Sequence, residues 1–220
     1  MRSINKVMIG LAALVLAFTA PNCGGSSGGS GGGSKSRNHA PTVVINQPID
    51  NTNVYRTDSL NYNALCTDSD SDGLTYSWNF GGLSIPDSSS STGNVVVPAS
   101  SSLGSYVLTA SCKDQHGKMG ENDVYVNVLN KAPVGNAGSN ISVKCGNLLP
   151  YDFRSSYDLD GNLINYNINW GDGNTENDND GLAFHSYDCS FSGNMLPLKL
   201  TVKDNDLSEN LDSSIITILP

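Results

Sequence analysis

Apolar and polar residues alternate in short runs along most of this chain. In Tyr106, Leu108, Ala110 and Cys112 one face is apolar, while Ser105, Thr109 and Ser111 occupy the other, the two-residue period of a strand with one buried side. Leu60, Tyr62, Ala64 and Cys66 carry the same phase. Such runs, bounded by clusters of Gly, Pro, Asn, Asp and Ser, predict strands over residues 42–46, 59–66, 74–80, 93–97, 105–112 and 123–129. Further along, Ile141, Val143 and Cys145 suggest one strand, residues 163–170 another, Leu196, Leu198, Leu200 and Val202 a third, and residues 215–219 a last. Pro197 falls on the opposite phase from its leucines and is expected toward an edge or a bulge. No long segment carries apolar residues at helical spacing. The pattern therefore predicts an all-β protein of sandwich type, with Trp78 and Trp170 buried at mid-strand rather than exposed as sugar-stacking platforms.

The chain also says nearly the same thing twice. Ala40-Pro41 opens a segment with Asp68-Ser69-Asp70-Ser71-Asp72-Gly73, then Tyr76-Ser77-Trp78-Asn79-Phe80-Gly81, and later Lys113-Asp114. Ala132-Pro133 opens a second, with Tyr157-Asp158-Leu159-Asp160-Gly161, then Tyr166-Asn167-Ile168-Asn169-Trp170-Gly171-Asp172-Gly173, and later Lys203-Asp204. Shared order and spacing indicate duplication, with modules over residues 40–130 and 131–220. These residues resemble polycystic-kidney-disease (PKD) domains, whose pattern runs from an Ala-Pro opening through an Asp-x-Asp-Gly turn and Tyr-x-Trp-x-Phe-Gly-Asp-Gly to a late Val-x-Asp. The second repeat matches with Ile168 and Trp170 where Trp and Phe are usual; the first has Gly81-Gly82 without the Asp. The resemblance implies two tandem immunoglobulin-like β-sandwiches.

Ahead of the repeats, Arg2 and Lys6 precede an apolar run from Val7 to about Ala20, too short to span a bilayer and laid out as an export signal. Ala20-Pro21-Asn22-Cys23 resembles a bacterial lipobox, with Asn22 in the place usually held by Gly, Ala or Ser. It implies a signal peptide over residues 1–22 and acylation of Cys23. Residues 23–39 then form a tether, almost wholly Gly and Ser from Gly24 to Ser34, with a reach of roughly 20 Å as a random coil. Two or three acyl chains, at about 0.8 kcal/mol per buried methylene, make a permanent membrane anchor. Gly24 in place of Asp points to the outer membrane or cell surface.

A net charge of −9 without a Lys/Arg cluster excludes nucleic acid as a partner. With Cys23 assigned to lipid, four cysteines remain and allow three pairings. Pairing within repeats, Cys66 with Cys112 and Cys145 with Cys189, keeps each module self-contained and suits an oxidising compartment. Asp68, Asp70 and Asp72, and Asp158 and Asp160, offer oxygen ligands that Ca²⁺ can use, and equally form metal-free Asx-turns before Gly73 and Gly161. Catalysis is not expected: no nucleophile motif or metal-ligand spacing is present, and His185 near Asp188 is the one pairing to test. The expected role is a non-catalytic surface lipoprotein contacting protein or polysaccharide, or building an envelope assembly. Because the sequence ends at Pro220 just after the last strand, the expectation is that either the modules themselves are the contact surface or a partner supplies the payload. The alternative is an accessory carbohydrate-binding module for secreted hydrolases, using exposed aromatics such as Tyr55, Tyr125 and Tyr187.

Overall fold

A computed structural model describes residues 37–220; the leader, Cys23 and the tether through residue 36 lie outside them. The first half folds as seven strands: β1 (Thr42–Gln47), β2 (Thr52–Tyr55), β3 (Ser59–Thr67), β4 (Leu74–Asn79), β5 (Thr92–Val96), β6 (Gly104–Asp114) and β7 (Met119–Leu129). They form a three-stranded sheet, β1-β3-β5, and a four-stranded one, β2-β7-β6-β4. Short β2 runs parallel to β7, while the other pairs are antiparallel. This is the immunoglobulin-like arrangement, in which each sheet turns alternate side chains onto the other.

Its core is what the alternation predicts. Leu60, Tyr62, Ala64 and Cys66 of β3 pack with Leu108, Ala110 and Cys112 of β6 and with Val124, Val126 and Val128 of β7. Trp78 has no exposed surface and stacks with Phe80 at 6.2 Å, and Tyr62 meets both rings at 5.3 Å. Cys66 and Cys112 are bonded across the two sheets in this layer. Tyr106, near the start of β6, donates its hydroxyl to Ser102 O at 2.8 Å and closes the corner before the strand.

The second half repeats the plan: β8 (Ile141–Lys144), β9 (Leu149–Asp152), β10 (Leu163–Asn169), β11 (Thr175–Asp178), β12 (Leu182–His185), β13 (Met195–Asp204) and β14 (Glu209–Leu219), with a 3-10 turn at Cys189–Phe191. A five-stranded sheet, β11-β10-β13-β14-β8, faces the pair β12-β9. The counterpart of β1 shrinks to one bridge between Val134 and Tyr157. A separate core gathers Tyr151, Phe153, Ile168, Trp170, Tyr187, Leu198, Leu200 and Ile216. Pro197 sits within a central strand, but the β10 ladder ends at the Asn169–Lys199 pair, so the proline lies where that neighbour has stopped. Cys145 and Cys189 are bonded outside the core, joining the residue after β8 to the 3-10 turn.

Four strands have no counterpart in the sequence reading: β2, β9, β11 and β12. Each is four residues long, and β11, Thr-Glu-Asn-Asp, has no apolar residue. The ladder to β10, not burial, makes it a strand.

Candidate functional site

The two Asp-rich turns and the two Lys-Asp turns converge at equivalent poles of the two sandwiches. In the second, Asp158 Oδ1 accepts from the amide of Asp160, and Asp160 Oδ2 accepts from the amide of Lys131 at 3.1 Å. Fully buried Asp204 folds the β13–β14 turn by taking the amides of Asp206 and Ser208 on Oδ1, at 2.9 and 2.8 Å. Its other oxygen accepts from Asn130 Nδ2 at 2.7 Å.

Into this pole the first sandwich inserts Arg56, the residue after β2. Its Nε donates to Asp160 Oδ2 at 2.9 Å, and Nη2 donates to both Asn130 Oδ1 and Asp206 Oδ2. Arg56 is 6% exposed and Asp160 4%, so the pair is desolvated. Burial alone would lower the Arg56 pKa, but the bonds to Asp206 and Asp160 outweigh it and hold the guanidinium above its ordinary value. Burial likewise opposes the Asp160 charge, yet the Lys131 amide and then Arg56 hold its pKa below the usual range. Asp158 moves the other way, raised by burial and by the charge of Asp160. Beside the plug, Lys131 Nζ reaches Asp58 at 2.7 Å and Thr57 at 2.8 Å, back on the first sandwich.

The first sandwich carries the same constellation at its own pole. Asp68 Oδ1 accepts from the amide of Asp70 at 2.7 Å, and Asp70 Oδ2 from the amide of His39 at 2.5 Å. Asp114 takes the amides of His116 and Lys118 on Oδ1 and Asn38 Nδ2 on Oδ2. Here His116 replaces Asp206 and bonds Asp72 at 2.9 Å, while the exposed His39 ring lies 3.1 Å from Asp70.

These geometries sort the candidate ligands for Ca²⁺. At Asp158 and Asp160 the guanidinium of Arg56 supplies positive charge, while Asp158 Oδ2 and Asp160 Oδ1 are buried with no hydrogen-bond partner among the described residues. Asp68, Asp70 and Asp72 each bring one oxygen within 4.8 Å of the others, as do Asp72, Asp114 and His116. Asp68 Oδ1 and Asp114 Oδ1 accept from their own turns, and Asp70 and Asp72 from His39 and His116, while Asp68 Oδ2 is buried with no hydrogen-bond partner among the described residues.

His185 does not pair with Asp188. Asp188 instead caps the 3-10 turn by accepting from the Ser190 amide at 2.8 Å. His185 turns inward from β12, stacks on Trp170 at 4.3 Å and 6°, and bonds Asp172 at 2.9 Å. The Gly-Asp-Gly loop thus clamps the His185 ring against the core. Tyr187 is also not a surface platform: it is 2% exposed and donates to Trp170 O. Tyr55 and Tyr125 are exposed and share the outer face of β2 and β7, since Tyr55 is paired with Leu129, four residues on from Tyr125.

Arg56, Asn130 and Asp206 were missed by the sequence reading. Asn38-His39-Ala40-Pro41 and Asn130-Lys131-Ala132-Pro133 repeat one residue pattern, so extending the repeat two residues ahead of each Ala-Pro would have found both asparagines.

The fold class is that of tandem immunoglobulin-like β-sandwiches. No family model and no curated protein matches the chain. Solved structures similar to it include the fibronectin(III)-like modules of Clostridium thermocellum CbhA, 16% identical over 81% of this chain and 94% of that one, TM-score 0.34. Another is the PKD1 domain of Vibrio anguillarum Epp, 24% identical over 42% of this chain and all (100%) of that one, TM-score 0.34. A third is Bacteroides ovatus SGBP-B in complex with mixed-linkage heptasaccharide, 17% identical over 82% of this chain and 48% of that one, TM-score 0.32.

Proposed function

We propose that this chain is a non-catalytic surface lipoprotein, anchored through Cys23, whose two PKD-type sandwiches make contacts with a protein or a polysaccharide outside the cell. The observation that carries the reading is the closure of each sandwich by its own disulfide, Cys66–Cys112 and Cys145–Cys189, bonds that persist in oxidising, extracytoplasmic compartments. The export signal and the cysteine ahead of a Gly/Ser tether support the anchor. Metabolic labelling with an alkyne fatty acid tests it: the wild type is labelled and protease-accessible on intact cells, and Cys23→Ser is neither labelled nor retained. An unlabelled wild type would remove the anchor.

A second reading, carbohydrate binding, is favoured by one specific arrangement. Tyr55 and Tyr125 stand about 13 Å apart along one strand direction, and between them Asn127 Nδ2 bonds Asn53 Oδ1 at 3.1 Å. Two aromatic faces flanking carboxamides suit a neutral sugar chain. Affinity electrophoresis in hydroxyethyl cellulose and in glucomannan gels tests it, with retardation lost in Tyr55→Ala/Tyr125→Ala; no retardation in either gel removes this reading.

A further inference from the structure

The two poles are built from matching residues, and in one of them the ligand is visible. Asn130, Asp160 and Asp204 of the second sandwich correspond to Asn38, Asp70 and Asp114 of the first, bond for bond: carboxamide to the turn aspartate at 2.7 and 2.8 Å, and backbone amide to the Asp-x-Asp carboxylate at 3.1 and 2.5 Å. In the second sandwich Asn130 Oδ1 and Asp160 Oδ2 receive the Nη2 and Nε of Arg56. In the first, Asn38 Oδ1 is a buried acceptor with no hydrogen-bond partner among the described residues. The orphaned atom is therefore the counterpart of the one that a guanidinium satisfies next door.

We infer that the pole formed by Asn38, Asp70 and Asp114 is a docking socket for an arginine side chain of a partner protein. Arginine fits for the reason that it fits at the joint: two N–H groups in one rigid plane span a carboxylate and a carboxamide oxygen. An ammonium is a single point of charge and cannot span them. Arginine is preferred to calcium because at the matching pole a guanidinium meets the equivalent carboxylate and carboxamide oxygens. Asp68 Oδ2, like its counterpart Asp158 Oδ2, is buried with no hydrogen-bond partner among the described residues, so calcium is the competing ligand that the titration tests. The neighbouring Asp68 and Asp72 keep the pole acidic, Lys118 Nζ lies beside it on Asn38 O, and the exposed His39 ring, which lies on Asp70, must turn aside for a guanidinium to enter.

The second sandwich of another copy does not present an arginine where the first presents Arg56. Arg56 and Cys145 occupy equivalent places, each donating its amide to the last residue of the parallel strand beside it, Leu129 O at 3.1 Å and Leu219 O at 3.0 Å. Where the first sandwich presents its plug, the second presents a disulfide. Arg56 itself is buried in its own joint, and Arg154 is held by both oxygens of Asp152.

The socket deepens the reading of the sandwiches as a contact surface and rests on it, but the two fail separately: the anchor is tested at Cys23, the socket by titration. The purified, isotope-labelled full chain is titrated with Nα-acetyl-arginine amide, Nα-acetyl-lysine amide and calcium chloride, following the backbone amides of His39 and Asp70 by NMR. The expected result is a saturable shift with the arginine amide, at least five-fold weaker with the lysine amide, and lost in Asp70→Asn and in Asn38→Ala. The Asn130 resonances, already held by Arg56, stay in place. Equal response to lysine, no saturable shift, or survival of the response in both variants overturns the socket. So does a response to calcium in the absence of one to arginine, which would make the pole a cation site.

Discussion

At the scale of single residues, glycine and aspartate carry constraints that their neighbours cannot. Gly171 has φ +81°, and a Cβ there would stand 2.7 Å from Pro197 O; Gly173 in the same loop has φ +100° but nothing within 4 Å. Both substitutions to Ala meet the backbone penalty of about 1–2 kcal/mol, and only Gly171→Ala adds a clash with main chain. Urea unfolding should therefore show Gly171→Ala less stable than Gly173→Ala by about 1 kcal/mol or more. Asp172, between them, shows the matching electrostatic constraint. Burial pushes its pKa up, but the Asn174 amide and then His185 outweigh burial and hold it below the usual carboxylate range. A carboxylate depressed in the folded state contributes stability above its unfolded pKa, near 3.9, and that contribution is lost as pH falls through the folded value. Asp172→Asn should cost about 1.5 kcal/mol at pH 7 and progressively less below pH 4, read from the pH dependence of the unfolding midpoint. An equal cost at pH 7 and pH 3 would show that the charge is not what matters.

At the scale of strands, legibility followed burial. β3 and β6, nine and eleven residues long with one apolar face, were found within two residues at each end because alternation over that length has few other readings. β2 buries only Val54, and β9 only Tyr151, so no two-residue period exists to be seen; their place is set by partner strands far along the chain. The disulfides differ in the same sense. Their sequence separations, 46 and 44, give nearly equal loop-closure terms of about 4 kcal/mol in the chain-entropy model. Cys66 and Cys112 are also buried in the core, at 8% and 1% exposure, whereas Cys189 is exposed. Replacing the core pair by alanine adds lost packing to lost entropy. Denaturant titration should find Cys66→Ala/Cys112→Ala the more destabilised double variant, with Cys145→Ala/Cys189→Ala closer to the entropic term.

At the scale of the whole described molecule, the joint decides how the two sandwiches behave together. Its acidic half was legible, because Asp158 and Asp160 stand in a recognisable turn. Its basic half was not: Arg56 meets Asp160 across 104 residues, and nothing in the local pattern of Asn-Val-Tyr-Arg-Thr-Asp distinguishes a buried plug from a surface charge. A desolvated guanidinium with three acceptors is costly to leave unpaired, so Arg56→Ala, which strands Asp160 and Asp206, should cost about 3 kcal/mol, at the low end for breaking a buried ion pair. Arg56→Lys keeps the charge but loses the fork, and should fall between. The two cores are separate, so their cooperativity rests on this contact and on Lys131 with Asp58. Calorimetry of the wild type should accordingly show one coupled transition, and Arg56→Ala two. Distances between spin labels on exposed Thr75 and Thr175 should broaden in the variant and stay narrow in the wild type, even in 1 M salt, because the 6% exposure of Arg56 shields the pair from screening. Equally broad distributions in both would mean that Arg56 fills the pole without fixing the angle, and the joint would then be a hinge rather than a rigid coupling.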